Sequence, residues 1–472
     1  MTFLPVLLWS DVLIWLLVLA GFAFGLLSSR NPPLRAAWRR VGRSRTGMAA
    51  ATVLVVFALV GLLDSLHYRP RLESAQADAP VAHAVEVLSA LDALLMPLRK
   101  HNEKTYSEPL ATRAFAKETI DVREADGRLR QMREFPRLKY GGAHLGDEES
   151  GRSGDIVKRL LAAEALAALI SGLLALGVAS LLARRQGGSV RKVWCGLWRG
   201  ETKFAWNAVL LTLAALLAIL LPLFVLGFDY HVFGTDKVGQ DVFYQILKSV
   251  RTALVIGLVT TLVTLPLAIL LGIFAGYFRG WVDDAIQYVY TTLSSIPGVL
   301  LIAAAVLMMQ VIIDTHPQWF ATAAERADMR LLALCFILGL TSWTGLCRLL
   351  RGETLKLREL EYIQAAQAFG VSDLRIILRH ILPNLMHIVI IALVMDFSGL
   401  VLAEAVLSYV GIGVDPTMIS FGTMINNARL EMAREPMVWW SLAAAFVFMF
   451  TLVLAANLLA DAMRDAFDPR AG

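Results

Sequence analysis

The chain has 472 residues, 57% of them hydrophobic and 18% charged, with a formal net charge of +5 and a mean hydropathy of +0.61. Soluble domains average about 45–50% apolar and about 25% charged residues, so a wholly soluble fold is excluded. The arginines and lysines cluster beside apolar runs, which is how membrane proteins use them, and no nucleic-acid partner is expected.

A membrane-spanning helix needs about 20 mostly apolar residues. Nine runs qualify: 4–27, 47–65, 156–183, 204–228, 249–277, 285–313, 331–349, 385–410 and 438–461. They are long and do not alternate with period two, so barrel strands are excluded and the expected class is an all-α polytopic membrane protein. The first run holds a single charge, Asp11, and its arginines follow it. A secretory signal has the opposite order, so this run reads as a retained first span whose N-terminus lies outside the cytoplasm. Asp11, near the outer end of that span, can reach the interface.

Short basic loops orient the rest. Loop 28–46 carries Arg30, Arg35, Arg39, Arg40, Arg43 and Arg45 and no acid; loop 184–203 carries Arg184, Arg185, Arg191, Lys192, Arg199 and Lys203 against Glu201. Both are expected in the cytoplasm, and so are loop 350–384 and the C-terminus. Tryptophans 194, 198, 206, 281, 319, 439 and 440 sit near span ends, where an amphipathic ring prefers to lie. Residues 66–155 form the large polar segment, expected outside the cytoplasm. Val85, Leu88, Leu91, Leu95 and Leu98 recur at helical spacing, and 108–135 also reads as a charged helix. Gly141, Gly142, Gly146, Gly151 and Gly154 mark a flexible approach to the third span. The expectation is a small, mainly helical domain, with a partly disordered loop as the alternative.

Within the sixth run, Ser294, Ser295 and Pro297 predict a kink. Polar groups at membrane depth are costly, so Asp396 and Glu404 in the eighth are candidates for function. For Asp396, pore lining and packing are both open; Glu404 reads better as a helix cap or an interhelical hydrogen-bond partner. Cys195, Cys335 and Cys347 form no CxxC pair; Cys335 and Cys347 fall inside or at the edge of an apolar run and read as small buried hydrophobes rather than as a disulfide or metal site. No P-loop or HExxH motif occurs, and the eight histidines are scattered. No catalytic residue, metal site or cofactor of the chain's own is expected.

Loop 350–384 is the most informative stretch. Tyr362, Ala365, Ala366 and Phe369 share one helical face, made shallow by its alanines. Gly370 suits a left-handed stop, Ser372 an N-cap, and Pro383 the end of a second short helix over 373–382. The spacing Gln364-Ala365-Ala366, three residues, Gly370, then Leu382-Pro383 is similar to the EAA loop of ABC importer permeases, with Gln364 for the usual Glu and His380 for Ile. Three further stretches resemble the peptide/nickel (dipeptide/oligopeptide) branch, C-type subunit. The first is the box 231–242, containing Gly234, Thr235, Asp236, Gly239 and Asp241. The second is 404–414, with Phe421-Gly422 beyond it. The third is the tail from Asn457-Leu458-Leu459-Ala460-Asp461 to Asp468-Pro469-Arg470.

The resemblance covers about 204–470 and implies a type I importer permease core of six helices in 204–472, preceded by three extra helices. The extra parts divide as 1–65, with two helices and a basic cytoplasmic loop; 66–155; and 156–203. It implies half of a pore in the bacterial inner membrane, with a second, B-type permease subunit, two cytoplasmic ATPase subunits that hold ATP and Mg²⁺, and a periplasmic solute-binding protein as partners beside membrane lipid. Tyr362, Gln364, Ala365, Ala366, Phe369, Gly370, Asp373 and Pro383 would couple to the ATPase. Peptides are the implied cargo, with nickel, opines or antimicrobial peptides as alternatives. An ion-coupled secondary transporter would need inverted repeats, which are not seen, and a membrane sensor leaves the boxes without a purpose.

Overall fold

The computed structural model describes residues 3–30, 32–71, 83–123, 129–145, 151–320 and 322–467. Gly146 and the final Asp468-Pro469-Arg470 of the tail box lie outside them. In chain order the helices are α1 Trp9–Arg30, α2 Pro32–Arg43, α3 Arg45–Asp64, α4 Ala90–Leu94, α5 Met96–Lys100, α6 Arg152–Gln186, α7 Val190–Arg199, α8 Trp206–Gly227, α9 Val242–Phe278, α10 Gly280–Ser295, α11 Gly298–Thr315, α12 Ala323–Arg358, α13 Glu361–Ala368, α14 Asp373–Ile376, α15 Leu382–Val410, α16 Phe421–Glu431 and α17 Trp440–Phe467. The strands are β1 Phe3–Val6, β2 His67–Pro70, β3 Leu88–Ser89, β4 Glu118–Arg123 and β5 Leu129–Glu134.

Among the described residues, nine helices are long and apolar enough to cross a membrane, one in each expected region. Their bounds differ from the apolar runs for a physical reason. Helix α9 has 37 residues and α12 has 36, about 55 Å each, well beyond the roughly 30 Å hydrocarbon core. Their ends are polar and stay helical because protein partners satisfy them. The first run starts late, because residues 3–6 pair antiparallel with 67–70 instead of entering the helix. The sixth region is two helices, α10 and α11, separated by extended Ile296 and by Pro297, which caps α11. It is a break, not a kink in one helix.

Helices α9 and α12 are the central pair. At Gly276 an added Cβ would lie 2.7 Å from the Arg351 carbonyl and 2.6 Å from Thr354 Cβ, so only glycine permits this backbone approach. Helix α6 uses the same device more loosely. Ala163, Ala167, Ala175, Ala179 and Ala183 form its buried seam, while Leu161, Leu169, Leu173 and Leu181 stay exposed, as a lipid-facing surface requires.

The segment 66–155 is not mainly helical. Its described residues hold β2, β3, the short α4 and α5, and the hairpin β4–β5, which pairs Glu118 with Glu134 through Arg123 with Leu129. The expected helix over 108–135 is therefore replaced by loop and hairpin. The Leu88–Leu98 periodicity does mark buried residues, Leu88, Leu91, Leu95 and Leu98, but Val85 is exposed and Pro97 starts a second helix after Leu95.

Buried ion pairs fasten this domain and α1 to the rest. Asp11 is buried, not interfacial. It accepts from Arg251 Nη2 at 2.6 Å and faces His67 Nδ1 at 2.7 Å. Asp328 accepts from the Ser10 amide at 3.1 Å and from its hydroxyl. Lys248 donates to Asp64 at 2.6 Å and Asp92 at 3.1 Å, and the Tyr244 hydroxyl donates to Asp92 at 2.8 Å. These contacts lie at one end of the bundle, the domain end. The opposite end, where α12 and α17 finish and α15 begins, carries the loop expected to couple to an ATPase and is termed the coupling end for that expectation.

Candidate functional site

At the coupling end the chain leaves α12 after Arg358 and re-enters the bundle through α14 and α15. Helix α12 runs past the expected end of its span at 349 and shortens the connection. Helix α13 stops on a Schellman turn: the Val371 amide donates to Ala366 O at 3.1 Å and the Gly370 amide to Gln367 O at 2.9 Å. This stop needs a left-handed residue, and Gly370 has φ +71°. Ile363, Ile376 and Ile381 are fully buried and pack with Ile273, Tyr277 and Leu350 from α9 and α12. The hook is thus an extension of the two central helices, anchored apolar side down.

Of the residues singled out, Tyr362, Gln364, Ala365, Phe369 and Gly370 face outward, and Phe369 is 87% exposed. Ala366 turns inward and packs against the buried cluster, so it does not share the outer face with Ala365. Asp373 is engaged within the chain, accepting from Tyr277 Oη at 2.7 Å, while Gln367 Nε2 donates to the same hydroxyl at 3.2 Å. Asn384 Nδ2 donates to Tyr362 Oη at 3.1 Å. Gln364 Nε2 donates to the Glu359 carbonyl at 3.3 Å, and Glu359 in turn is ion-paired to Arg279. Arg351 grips Asp283 with two hydrogen bonds, at 2.5 and 2.7 Å.

Pro383 does not end a helix. The turn Ile377–Ile381 widens to π geometry, with the Leu382 amide donating to Ile377 O, and the helix continues unbroken from Asp373 to Val410. Proline cannot donate to the carbonyl four residues back, and the widened turn just before it absorbs the mismatch. Movement of the hook would therefore act directly on α15.

The box 231–242 sits at the domain end and forms the cap of α9. The Asp241 side chain accepts from the Tyr244 amide at 3.1 Å. Asp236 accepts from the amides of Val238 and Gln240, each at 2.9 Å, and from Gln245 Nε2 at 2.7 Å. Gly234 and Gly239 have φ of +68° and +76°, and a Cβ on Gly239 would run into the Glu103 carbonyl. Residues 103–107 of the added domain lie on this cap. The Thr235 hydroxyl donates to Thr105 O at 2.9 Å and accepts from the Ser107 amide at 2.7 Å, and Trp440 Nε1 donates to Thr235 O at 3.0 Å.

His231 joins the two parts. Its Nδ1 lies 2.8 Å from Asp241 Oδ2 and its Nε2 3.4 Å from Glu103 Oε1. Burial opposes charge on the ring, but hydrogen bonds to Asp241 and Glu103 outweigh it and raise its pKa to about 9. Burial likewise opposes charge on Glu103, yet His231 and the amides of Lys139, Tyr140 and Gly141 bring its pKa down to about 2. Sequence reasoning missed this pair, since Glu103 is 128 residues from His231 and no local pattern joins them.

Glu404 is 2% exposed and accepts from Ser408 Oγ at 2.6 Å and Ser420 Oγ at 2.9 Å, stapling the end of α15 to the start of α16. Asp396 is half-buried on α15 with no hydrogen bond or ion pair among the described residues. Ser294, Ser295 and Pro297 are exposed, and Ser295 Oγ donates to Thr291 O at 2.8 Å. Cys335 and Cys347 are buried and Cys195 is exposed.

Among the described residues, nine helices long and apolar enough to cross a membrane, with a surface hook at one end, define a polytopic membrane protein. Residues 268–472 match the model of the binding-protein-dependent transport system inner membrane component. The glutathione transport system permease protein GsiD of Pectobacterium atrosepticum is 32% identical over 51% of this chain and 73% of its own length. The GsiD of Shigella flexneri is 32% identical over 60% of this chain and 92% of its own. The oligopeptide transport system permease protein OppC of Mycobacterium tuberculosis is 31% identical over 51% and 76%. A solved inward-facing MetNI methionine ABC transporter aligns over 47% of this chain and 94% of its own with 16% identity and a TM-score of 0.34, too weak a likeness to bear on the fold. The chain belongs to the family of binding-protein-dependent transport inner membrane components, the permease subunits of ABC importers. It is a multi-pass protein of the inner membrane.

Proposed function

We propose that the chain forms half of the pore of an ATP-driven peptide importer. The observation that carries the reading is the hook 359–381, whose exposed Tyr362 and Phe369 stand on a buried base continuous with α12 and α15. In this reading the hook docks on one of two cytoplasmic ATPase subunits, which hold ATP and Mg²⁺ and perform all hydrolysis. Gln364, Ala365 and Gly370 lie in the contact. Ala366, Asp373 and Pro383 support it from within, and closure of the ATPases tilts α15 as a rigid body. A second, B-type permease completes the pore, and a periplasmic solute-binding protein delivers cargo at the domain end. Residues 204–472 are the permease core, with 1–65, 66–155 and 156–203 added to it. The N-terminus and residues 66–155 are periplasmic and the coupling end cytoplasmic, supported by the basic loops 28–46 and 184–203. Asp396, Ser294 and Ser295 are offered as pore-facing groups, and Glu404 as a staple. Peptide cargo is supported by the relatives, named for oligopeptide and glutathione transport.

The test expresses the chain with its genomic neighbours and asks whether two ATPase chains and one other permease co-purify, and whether cells take up labelled tripeptide. Phe369→Ser should abolish ATPase retention with the spans still inserted. A stable homodimer without ATPase, or labelling that places 359–381 on the periplasmic side, defeats the proposal.

A further inference from the structure

At the coupling end a cavity of about 970 Å³ opens between the added helices and the family core. Its walls come from the end of α1, the length of α2, residues 203–204, and the membrane-embedded parts of α15 and α17. Its lining has two distinct parts. Arg35, Arg39 and Arg43 stand one helical turn apart on the same face of α2, and Lys203 joins them from the neighbouring loop. Among the described residues no acid lines the cavity, and none of the four cations makes a hydrogen bond or ion pair. Like charges four residues apart on a helix repel one another, and here three stand in a row without a counter-charge among the described residues. Behind them the lining is apolar: Phe24, Leu393, Val394 and Leu459. Leu393 lies eleven residues into α15, about 17 Å from its start, which is hydrocarbon depth.

The α2 helix is held in this pose by the protein. Its Ala37 and Val41 are buried against Ile390, Met463 and Phe467. The Gly42 carbonyl accepts from the Ala205 amide at 2.7 Å, and Trp38 meets Phe467 edge-on with centroids 5.6 Å apart. One face of α2 is thus spent on the core, and the arginine face is turned toward the cavity mouth. A slot with a cationic rim and an apolar floor complements a molecule with an anionic head and an apolar tail.

We propose that this cavity is a binding site for one anionic phospholipid, with the phosphate held by Arg35, Arg39, Arg43 and Lys203 and an acyl chain along α15 and α17. The lipid wedges α2 against the base of α15, the helix that carries the hook. The site is independent of the cargo assigned above.

The experiment titrates the purified full chain in detergent with dioleoylphosphatidylglycerol or dioleoylphosphatidylcholine and counts retained lipid by native mass spectrometry. The expected result is one tightly retained phosphatidylglycerol and no matching phosphatidylcholine. Arg39→Gln with Arg43→Gln should weaken phosphatidylglycerol roughly 30-fold, from the contribution of two cations at a membrane surface. Gly21→Leu with Gly25→Leu fills the tail slot and leaves the charges; a Cβ at either position meets nothing within 4 Å, so this variant keeps its fold and should lose the retained lipid. Glycerol 3-phosphate should not displace the lipid. Equal retention of the two lipids, displacement by glycerol 3-phosphate, or a wild-type lipid count in the glycine variant overturns the proposal.

Discussion

The joint between the added domain and the family core titrates, and its magnitude follows from the geometry. His231 is almost fully buried between Asp241 and Glu103, and its pKa rises from near 6.5 to about 9. At about 1.4 kcal/mol for each pH unit of that gap, the charged ring stabilises the joint by about 3 kcal/mol. The sign is fixed by the direction of the change. A raised pKa means the folded state holds the proton more tightly, so the stabilisation is complete below about pH 6.5 and is lost as pH rises through about 9. Glu103 works in the opposite sense. Its pKa falls to about 2, so its share is complete above about 4.5 and is lost only as pH falls toward 2. Thermal unfolding of wild type and His231→Gln in lipid nanodiscs, followed from about pH 6 to about pH 10, isolates the histidine because other titrations cancel in the difference. Wild type should lead by about 3 kcal/mol at pH 6 and the curves should meet by pH 10. Glu103→Gln should move the convergence to lower pH, because the ring then keeps only Asp241. A difference between wild type and His231→Gln that does not change with pH would refute the argument.

Three further outcomes follow from particular contacts. Arg251→Met strips Asp11 of its guanidinium partner, leaving a buried carboxylate with His67; a loss of about 3 kcal/mol or more is expected in chemical denaturation, and restoring wild-type stability should require Asp11→Asn as well. Gly276→Val drives a side chain into the Arg351 carbonyl and should cost about 3 kcal/mol or prevent assembly of α9 on α12, read as loss of monodisperse protein on gel filtration. Gly370→Ile forces a β-branched residue to φ +71°. It should cost about 1–2 kcal/mol locally, leave all spans inserted by glycosylation mapping, and abolish coupled transport.

What the sequence carried and what it withheld divide along physical lines. Spans are written as long apolar runs, and all of them fell in the expected places. The Gly370 turn is local chemistry, so a glycine before Val371 and Ser372 was enough to place it. The ends of α9 and α12 were misjudged because their polar residues are solvated by partners far away in the chain, such as Ser10 for Asp328. The hairpin over 118–134 was misread as helix because charge density masked it. The sign available was the Asp126-Gly127 dipeptide between two short β-prone runs. Pro383 misled in the other direction. A proline normally stops a helix, and only the register of the preceding turn, invisible in sequence, lets this one pass.

The buried charges bear on how the extra N-terminal part came to be tied to the core. Arg251 and Lys248 belong to α9, inside the segment that resembles the family, yet their nearest carboxylate partners Asp11, Asp64 and Asp92 belong to the added part; within the core Arg251 keeps only the more distant Asp328, at 3.9 Å. Removing residues 1–203 would therefore strip part-buried Lys248 of both its carboxylates and leave Arg251 with Asp328 alone, at 3.9 Å, so the desolvation of each cation would be poorly compensated. His231 would lose Glu103 but keep Asp241 at 2.8 Å, so it would be weakened rather than stranded. The extension is thus not an appendage that the permease core can shed. A truncation beginning at 204 should fail to insert stably as it stands. It should recover if Arg251 and Lys248 are changed together to methionine and His231 to glutamine, because those are the groups the extension neutralises. Recovery without those changes would mean that lipid or water already serves the buried cations, and that the ion pairs across the joint are incidental to its stability.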